Sequence, residues 1–293
     1  MGDVAVTASR RFDVVPTGAI IGAEIRGLDV RTLDDEAFAD LRAAWLRHAV
    51  LLFRGQHLTD DDLVAFAGRF GPLDRAPASE YATAGAQEKS RPEVWIISNV
   101  MEGGKPLGAL GADEAEWHSD MSYVAEPPMA SVLYALEIPP HGGDTSFANM
   151  VAALKALPAE LRAQIEGRCV NHDSSYTSTG RLRKGAVPVR DVTQAPGARH
   201  PIIRTHPETG AQALYLGRRR NAWIAGMEVA QSDALLDLLW AHCADARFAW
   251  THQWRVGDLL IWDNRCANHR RDAFDAATRR VMHRCQVKGT RPV

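Results

Sequence analysis

The sequence predicts a mixed α+β fold that is mainly β, a β-sandwich or jelly roll braced by a few helices. Three observations carry this expectation. From Glu93 onward, short apolar runs alternate with turn residues, the texture of successive antiparallel strands. Helical periodicities are few and stand apart from one another, so helices would cover a sheet rather than form a bundle. Gly and Pro are scattered along the 293 residues instead of pooling into a linker, and no internal repeat of about 20 to 50 residues is present. One domain spanning 1–293 is therefore expected.

Taken in order, the first helix is expected over Asp34–His48, where Phe38, Leu41, Ala44, Trp45 and His48 recur at helical spacing. Val50-Leu51-Leu52-Phe53 reads as a buried strand. Thr59 then opens a second helix with a Thr-x-x-Asp cap signal, and Leu63, Phe66, Ala67 and Phe70 mark its inner face. Residues 74–92, rich in Ala, Ser, Glu and Pro, read as a surface loop. Strands are expected at Val94–Ile97, Ala130–Leu136, Thr145–Phe147, Pro201–Arg204, Ala213–Leu216, Leu259–Trp262 and Val281–Val287. Helices interrupt them at about Val151–Glu166 and at Ser232–His242.

Composition excludes several classes. Lys+Arg total 34 and Asp+Glu 36, a formal net charge of −2, which lacks the basic excess of a general nucleic-acid binder. No apolar run approaches the roughly 18 residues of a membrane span. The N-terminal residues lack the basic start and apolar stretch of a secretory signal, so a cytoplasmic location is expected. Cys169, Cys243, Cys266 and Cys285 are widely spaced, without the framework of a disulfide scaffold or a zinc knuckle. Gly-x-Ser-x-Gly, Gly-x-Gly-x-x-Gly and Walker A patterns are absent, which argues against serine hydrolysis and phosphate-loop chemistry.

Trp117-His118-Ser119-Asp120 contains the one His-x-Asp of the chain. In extended backbone, residues i and i+2 share a face, so the imidazole and the carboxylate can serve one metal ion. About one such match is expected by chance, and a His and an Asp hydrogen-bonded at a strand end is the plain alternative. Asp263-Asn264-Arg265-Cys266-Ala267-Asn268-His269 follows the strand Leu259–Trp262 and supplies a third candidate, His269. Two His and one carboxylate leave coordination positions open for non-haem Fe(II) chemistry. In Arg279–Val287, alternation puts Arg280, Met282, Arg284 and Gln286 on one face. Two arginines on one strand face need anions if buried, or else belong to a solvated edge. His172, His242 and His252 have no partner at ligand spacing and read as surface or hydrogen-bonded core. His206, in His-Pro-Glu-Thr-Gly, reads as a turn residue. Tyr123 is either a pocket wall or ordinary core.

These segments together resemble the TauD/TfdA (taurine dioxygenase-like) family of Fe(II)- and 2-oxoglutarate-dependent dioxygenases. The likeness runs from about Val14 to the C-terminus. It includes Gly18–Ile25, Arg69-Phe70-Gly71-Pro72-Leu73, Trp117–Asp120, Gly142-Gly143-Asp144-Thr145, Thr205–Gly210, and Trp262-Asp263-Asn264-Arg265 ahead of His269. The resemblance implies a double-stranded β-helix (jelly-roll) core over about 93–293 with inserted lid segments, and an N-terminal helical buttress over about 14–75. It implies that His118, Asp120 and His269 are the catalytic metal ligands. Thr145 and Arg280 would hold the distal carboxylate of 2-oxoglutarate, a bidentate partner suited to a guanidinium. Arg284 would reach the acidic group of the organic substrate. The implied reaction consumes 2-oxoglutarate and O2, releases succinate and CO2, and hydroxylates a small organic acid, with cleavage where the product is unstable. A homo-oligomer is expected, as is common among relatives. Asp120 also speaks against a halogenase, in which that position lacks a carboxylate.

The sequence departs from taurine-specific relatives. Glu114 stands where they carry an asparagine, and a carboxylate would repel a sulfonate. Arg75–Ser79 has no histidine where they place one, and Arg218-Arg219-Arg220-Asn221 is an added basic cluster, either a site for an anionic substrate or a solvated turn. Two rival readings are a metal-dependent jelly-roll enzyme that does not use 2-oxoglutarate and a non-catalytic ligand-binding barrel. Both leave Arg280 and Thr145 without a purpose.

Overall fold

A computed structural model of the chain describes residues 11–76 and 91–293. The expected surface loop over 74–92 therefore lies mostly outside the described residues, as do positions 77–79 of the altered Arg75–Ser79 loop.

The first helix, Asp35–His48, starts where Asp34 accepts a hydrogen bond from the backbone of Ala37 and stops at Ala49, which adopts a left-handed conformation (φ 60°). It buries Leu41, Ala44 and Trp45 of the expected face together with Ala37, while Phe38 packs partly buried beside them. The second helix, Asp60–Gly68, begins with a complete capping box between Thr59 and Asp62.

Both helices cover one face of an eight-stranded sheet. Its order is Asp13–Pro16, Ala23–Arg26, Val50–Phe53, Leu259–Asp263, Ala130–Glu137, Val281–Val287, Trp95–Ser98 and Ala109–Leu110. Period-two alternation divides this sheet between two cores. Leu51, Phe53, Val132, Tyr134, Leu259, Ile261, Cys285 and Val287 pack against helix residues such as Leu41, Trp45, Leu63 and Phe66. Val50, Leu52, Leu133, Ala135, Leu260, Trp262 and Met282 face the other way and meet Phe147, Ala148 and Ala267. Those last three belong to a four-stranded sheet ordered Ala249–His252, Thr145–Asn149, Ala267–Arg271 and Ala115–His118.

The N-terminal region is more than a buttress. Val50–Phe53 is buried on both faces, pairs antiparallel with Leu259–Trp262 and parallel with Ala23–Ile25, and so lies inside the main sheet. A continuous apolar run demands such two-sided cover. The expected helix over Val151–Glu166 is two helices, Met150–Lys155 and Ala159–Ile165, with Pro158 at the N-cap of the second. The expected Pro201–Arg204 strand is instead divided between Gly197–Pro201 and Ile203–Thr205. Gly197–Pro201 pairs with Cys169–Asp173, a strand whose polar composition hid it. Among the described residues no helix is long and apolar enough to cross a membrane.

Candidate active site

The two sheets enclose the candidate ligands. Ala115–His118 pairs with Ala267–Arg271 so that His118 lies directly opposite His269, and their ring centroids are 4.2 Å apart. Asp120 follows two residues beyond His118, just past the strand end. Its Oδ1 lies 3.8 Å from Nε2 of His118 and 3.9 Å from Nε2 of His269. All three residues are buried, and one donor atom from each lies within 4.8 Å of the others.

The hydrogen bonds around them fix which atoms face inward. Nδ1 of His118 donates to the Glu116 carbonyl at 2.7 Å, which leaves the Nε2 lone pair directed at the other two ligands. Ser131 Oγ donates to Asp120 Oδ2 at 2.7 Å, and Asn264 Nδ2 donates in turn to Ser131 Oγ at 3.0 Å. Arg284 Nη1 donates to Asp120 Oδ1 at 3.1 Å. Burial works to raise the Asp120 pKa, but the Arg284 guanidinium, helped by the hydrogen bond from Ser131, outweighs it and holds the carboxyl well below its ordinary range. Burial depresses both imidazoles, so neutral donor nitrogens and an ionised carboxylate are the resting state. This donor set fits a divalent transition metal.

Beside the triad lie two buried arginines. Arg280 is 2% exposed, its Nε has no partner, and burial together with Arg271 pushes its pKa down to about 9. Arg271 was not anticipated as a site residue, although alternation from His269 could have found it. It shares the His269 strand face and stands directly opposite Thr145 in the sheet. It is also buried, its Nε lacks a partner, and its other contacts are the carbonyls of Leu110 and Asp113. Both guanidiniums approach Phe274, with Cζ 5.4 Å (Arg271) and 5.9 Å (Arg280) from the ring centroid. Thr145 Oγ1 accepts from Trp254 Nε1 at 3.0 Å. Among the described residues neither arginine has an ion-pair partner, so two buried cations await an anion.

The remaining candidates divide. Arg284 stacks on Trp95 at 4.6 Å while it pairs with Asp120. Tyr123 is half-buried between the guanidiniums of Arg183 and Arg218. The basic cluster is split, because Arg219 pairs with Asp233 and Asp237 while Arg220 lies over Tyr176. Glu114 is exposed and pairs with Arg270, which alternation turns away from the His269 face, so the charge clash expected of it is not built here.

Other histidines serve the scaffold. His206 is fully buried at the start of its turn and donates to Asp263 Oδ2 at 2.9 Å, while Nδ1 accepts from the backbone of Glu208 and Thr209. His206, Asp263 and Cys266 have the spacing of a second metal group. Arg265, however, occupies both carboxylate oxygens at 2.8 and 2.7 Å, which marks a charge-balanced network. His252 bonds Asp258 and His242 bonds the Ala153 carbonyl, but His172 is buried with neither ring nitrogen partnered, contrary to expectation.

A two-sheet β fold that brings two histidines and a carboxylate together beside two buried arginines has the donor set of a mononuclear non-haem metal enzyme. Residues 12–286 match the family model described as taurine catabolism dioxygenase TauD, TfdA family, and the chain belongs to that family. It is accordingly a dioxygenase. It is 35% identical over 296 residues to an (S)-phenoxypropionate/alpha-ketoglutarate-dioxygenase of Delftia acidovorans, with 95% of each chain covered. It is 32% identical to an alpha-ketoglutarate-dependent 2,4-dichlorophenoxyacetate dioxygenase of Cupriavidus pinatubonensis, over 92% of this chain and 95% of that one. The crystal structure of AAD-2 in complex with Mn(II) and N-oxalylglycine superposes with a TM-score of 0.76 at 30% identity, covering 96% of this chain and 98% of that one.

Proposed function

We propose that this protein is an Fe(II)- and 2-oxoglutarate-dependent dioxygenase that hydroxylates a small organic acid. The observation that carries the reading is the junction of the His118–Asp120–His269 group with two buried, unpaired arginines, Arg280 and Arg271. A site for a metal alone would not need those cations, and 2-oxoglutarate has a distal carboxylate to satisfy them.

His118 and His269 would hold the metal through Nε2, and Asp120 through Oδ1. Bound there with 2-oxoglutarate and O2, Fe(II) supplies the oxidant for C–H hydroxylation, with succinate and CO2 released. The protein supplies position and charge. Ser131 and Arg284 keep the Asp120 carboxylate ionised and oriented, and the Glu116 carbonyl keeps His118 in one tautomer. Arg280 would bind the distal carboxylate together with Thr145, and Arg271 adds a second cation beside it, all three residues out of bulk water. The burial of these groups excludes bulk water from the cosubstrate. Tyr123, three residues beyond Asp120, would line the substrate side of the metal.

Relatives that act on phenoxypropionate and 2,4-dichlorophenoxyacetate support an organic acid as substrate. Hydroxylation of a carbon next to an ether oxygen gives a hemiacetal, which falls apart to an alcohol and a carbonyl compound. The topology and the family support a double-stranded β-helix core within one domain. A cytoplasmic, homo-oligomeric enzyme completes the proposal, checked by fractionation and light scattering. The principal test is succinate formation from 2-oxoglutarate, stimulated by phenoxypropionate or a related acid and abolished by chelation. Failure of the protein to bind 2-oxoglutarate or N-oxalylglycine would exclude the reading.

A further inference from the structure

Arg284, the arginine expected to grip the substrate's acid, is already engaged with Asp120 at 3.1 Å. Arg280 and Arg271 face the cosubstrate. A substrate anion therefore calls for another cation, and two others lie against the ring of Tyr123, three residues beyond Asp120. Gly217 brings the first of them in. Its φ is +68°, and a Cβ there would lie 2.0 Å from Nδ1 of His172 and 2.7 Å from Oγ of Ser122. Only glycine allows the chain to pass this close to Ser122–Tyr123, two and three residues beyond Asp120. The next residue, Arg218, sets its guanidinium 5.4 Å from the Tyr123 ring centroid, and Arg183 sets its own 4.5 Å from the same ring.

Both arginines are half-buried, and Asp173 acts on Arg218 only from beyond ion-pair distance. Both donate to one acceptor, the Tyr176 carbonyl, Arg183 at 3.3 Å. Among the described residues neither has an ion-pair partner, although Arg181 pairs with Asp113 and Arg219 with Asp233 and Asp237. Two like charges converging on a single neutral oxygen are unfavourable unless an anion joins them. Burial, and then Arg183, also lowers the pKa of Arg218.

We propose that Arg218 and Arg183, flanking Tyr123, form the receptor for the acidic group of the organic substrate, with the Tyr123 ring as its apolar wall. The proposal rests on the dioxygenase reading above and names its substrate contact. The ligand class is a small carboxylate, sulfonate or sulfate ester carrying an apolar body. Arg284 is left to hold Asp120.

The test is calorimetric binding to protein loaded with Mn(II) and N-oxalylglycine, so that no turnover intervenes. Phenoxypropionate, hexyl sulfate and the neutral phenoxypropionamide are titrated into wild type, Arg218→Gln, Arg218→Lys and Arg183→Ala. Wild type should bind at least one of the acids, and phenoxypropionate more tightly than its amide. Arg218→Gln should weaken acid binding by about tenfold to a hundredfold, as loss of a charge-assisted hydrogen bond does. Arg218→Lys should recover part of that loss, and Arg183→Ala should show a smaller one. N-oxalylglycine should bind equally to all four proteins, which also establishes that each is folded. Equal binding of phenoxypropionate and its amide by wild type would overturn the proposal. So would unchanged acid affinity in both Arg218→Gln and Arg183→Ala, or no binding of either acid, with the dioxygenase reading intact. Absence of N-oxalylglycine binding to wild type would instead bring down that reading and the proposal with it.

Discussion

Arg284 donates to the same oxygen of Asp120 that faces both histidines: Nη1 lies 3.1 Å from Oδ1, which is 3.8 and 3.9 Å from the two Nε2 atoms. The arginine thus balances the charge of a buried carboxylate and fixes its orientation for metal binding. Arg284→Gln should weaken metal affinity by about tenfold to a hundredfold, the usual cost of removing a partner that orients a ligand. Metal titration of the purified apoprotein measures it. Unchanged affinity would show that Ser131 alone positions Asp120.

His118→Ala, Asp120→Ala and His269→Ala should each abolish succinate formation and leave the circular dichroism spectrum near that of wild type. The three side chains meet at one donor group, and only the His269 ring also packs on core residues, 4.8 Å from the Trp262 ring and 6.1 Å from that of Phe147, so His269→Ala should lose the most stability of the three while both sheets persist. Metal content by atomic spectroscopy, together with activity, checks this. A variant that keeps both would remove its residue from the ligand set.

The His206–Asp263–Arg265 network should behave in the opposite way, as scaffold. Asp263→Ala removes the buried carboxylate to which both Arg265 and His206 donate, leaves Arg265 with Glu208 alone, and should cost about 3–5 kcal/mol of stability, with metal content unchanged in whatever protein remains folded. Burial raises the Asp263 pKa, but Arg265 and His206 bring it down to about 2 from 3.8. A depressed carboxylate contributes stability that is present above about pH 3.8 and is lost as the pH falls through about 2. Acid unfolding of wild type and Asp263→Asn should therefore converge towards pH 2. A constant difference between them across that window would contradict the assignment.

Elements with strong periodicity and clear caps were legible in the sequence. Val50–Phe53 and Val281–Val287 fall at their expected positions, and Thr59 caps the second helix as its spacing suggests. Cys169–Asp173 was not legible, because a polar strand between Gly-rich turns carries no apolar alternation. The site divides along the same line. His118 and Asp120 are neighbours in sequence, His269 stood out as a third candidate beyond the strand Leu259–Trp262, and the resemblance assigned roles to Thr145 and Arg280. Arg271 left a readable signal, its period-two spacing from His269. Arg183 left none, since its approach to Tyr123 depends on a long excursion of chain whose path no local pattern encodes. The pairing of Arg284 with Asp120, 164 positions apart, is likewise a product of tertiary structure.

The same burial that equips Arg280 for a carboxylate makes it a burden to the empty protein. Its side chain is 2% exposed, has no ion-pair partner among the described residues, and has an unpartnered Nε. Arg280→Met should therefore raise the thermal stability of the apoprotein, by about 1–4 kcal/mol when a buried charge gives way to an apolar chain of similar length. The same change should raise the apparent KM for 2-oxoglutarate far more than that for the organic substrate. Arg271→Met should repeat the pattern more weakly, because Arg271 already donates to backbone carbonyls. The pH dependence has a definite sign. Burial, followed by repulsion from Arg271, lowers the Arg280 pKa from 12.5 to about 9, so between those values the unfolded chain binds more protons than the folded one. Stability then rises with pH across that interval, and the cost of the charge is fully present below about pH 9. The advantage of Arg280→Met over wild type should accordingly be constant near neutrality and shrink as the pH climbs past 9. Saturating N-oxalylglycine should reverse the order of stability at pH 7, since an anion that pairs with Arg280 stabilises only the wild type. Melting curves of both proteins, with and without N-oxalylglycine, measure every part of this. A wild type that is the more stable of the two when empty would mean that Arg280 already has an anionic partner within the fold, and the cosubstrate's carboxylate would have to be held elsewhere.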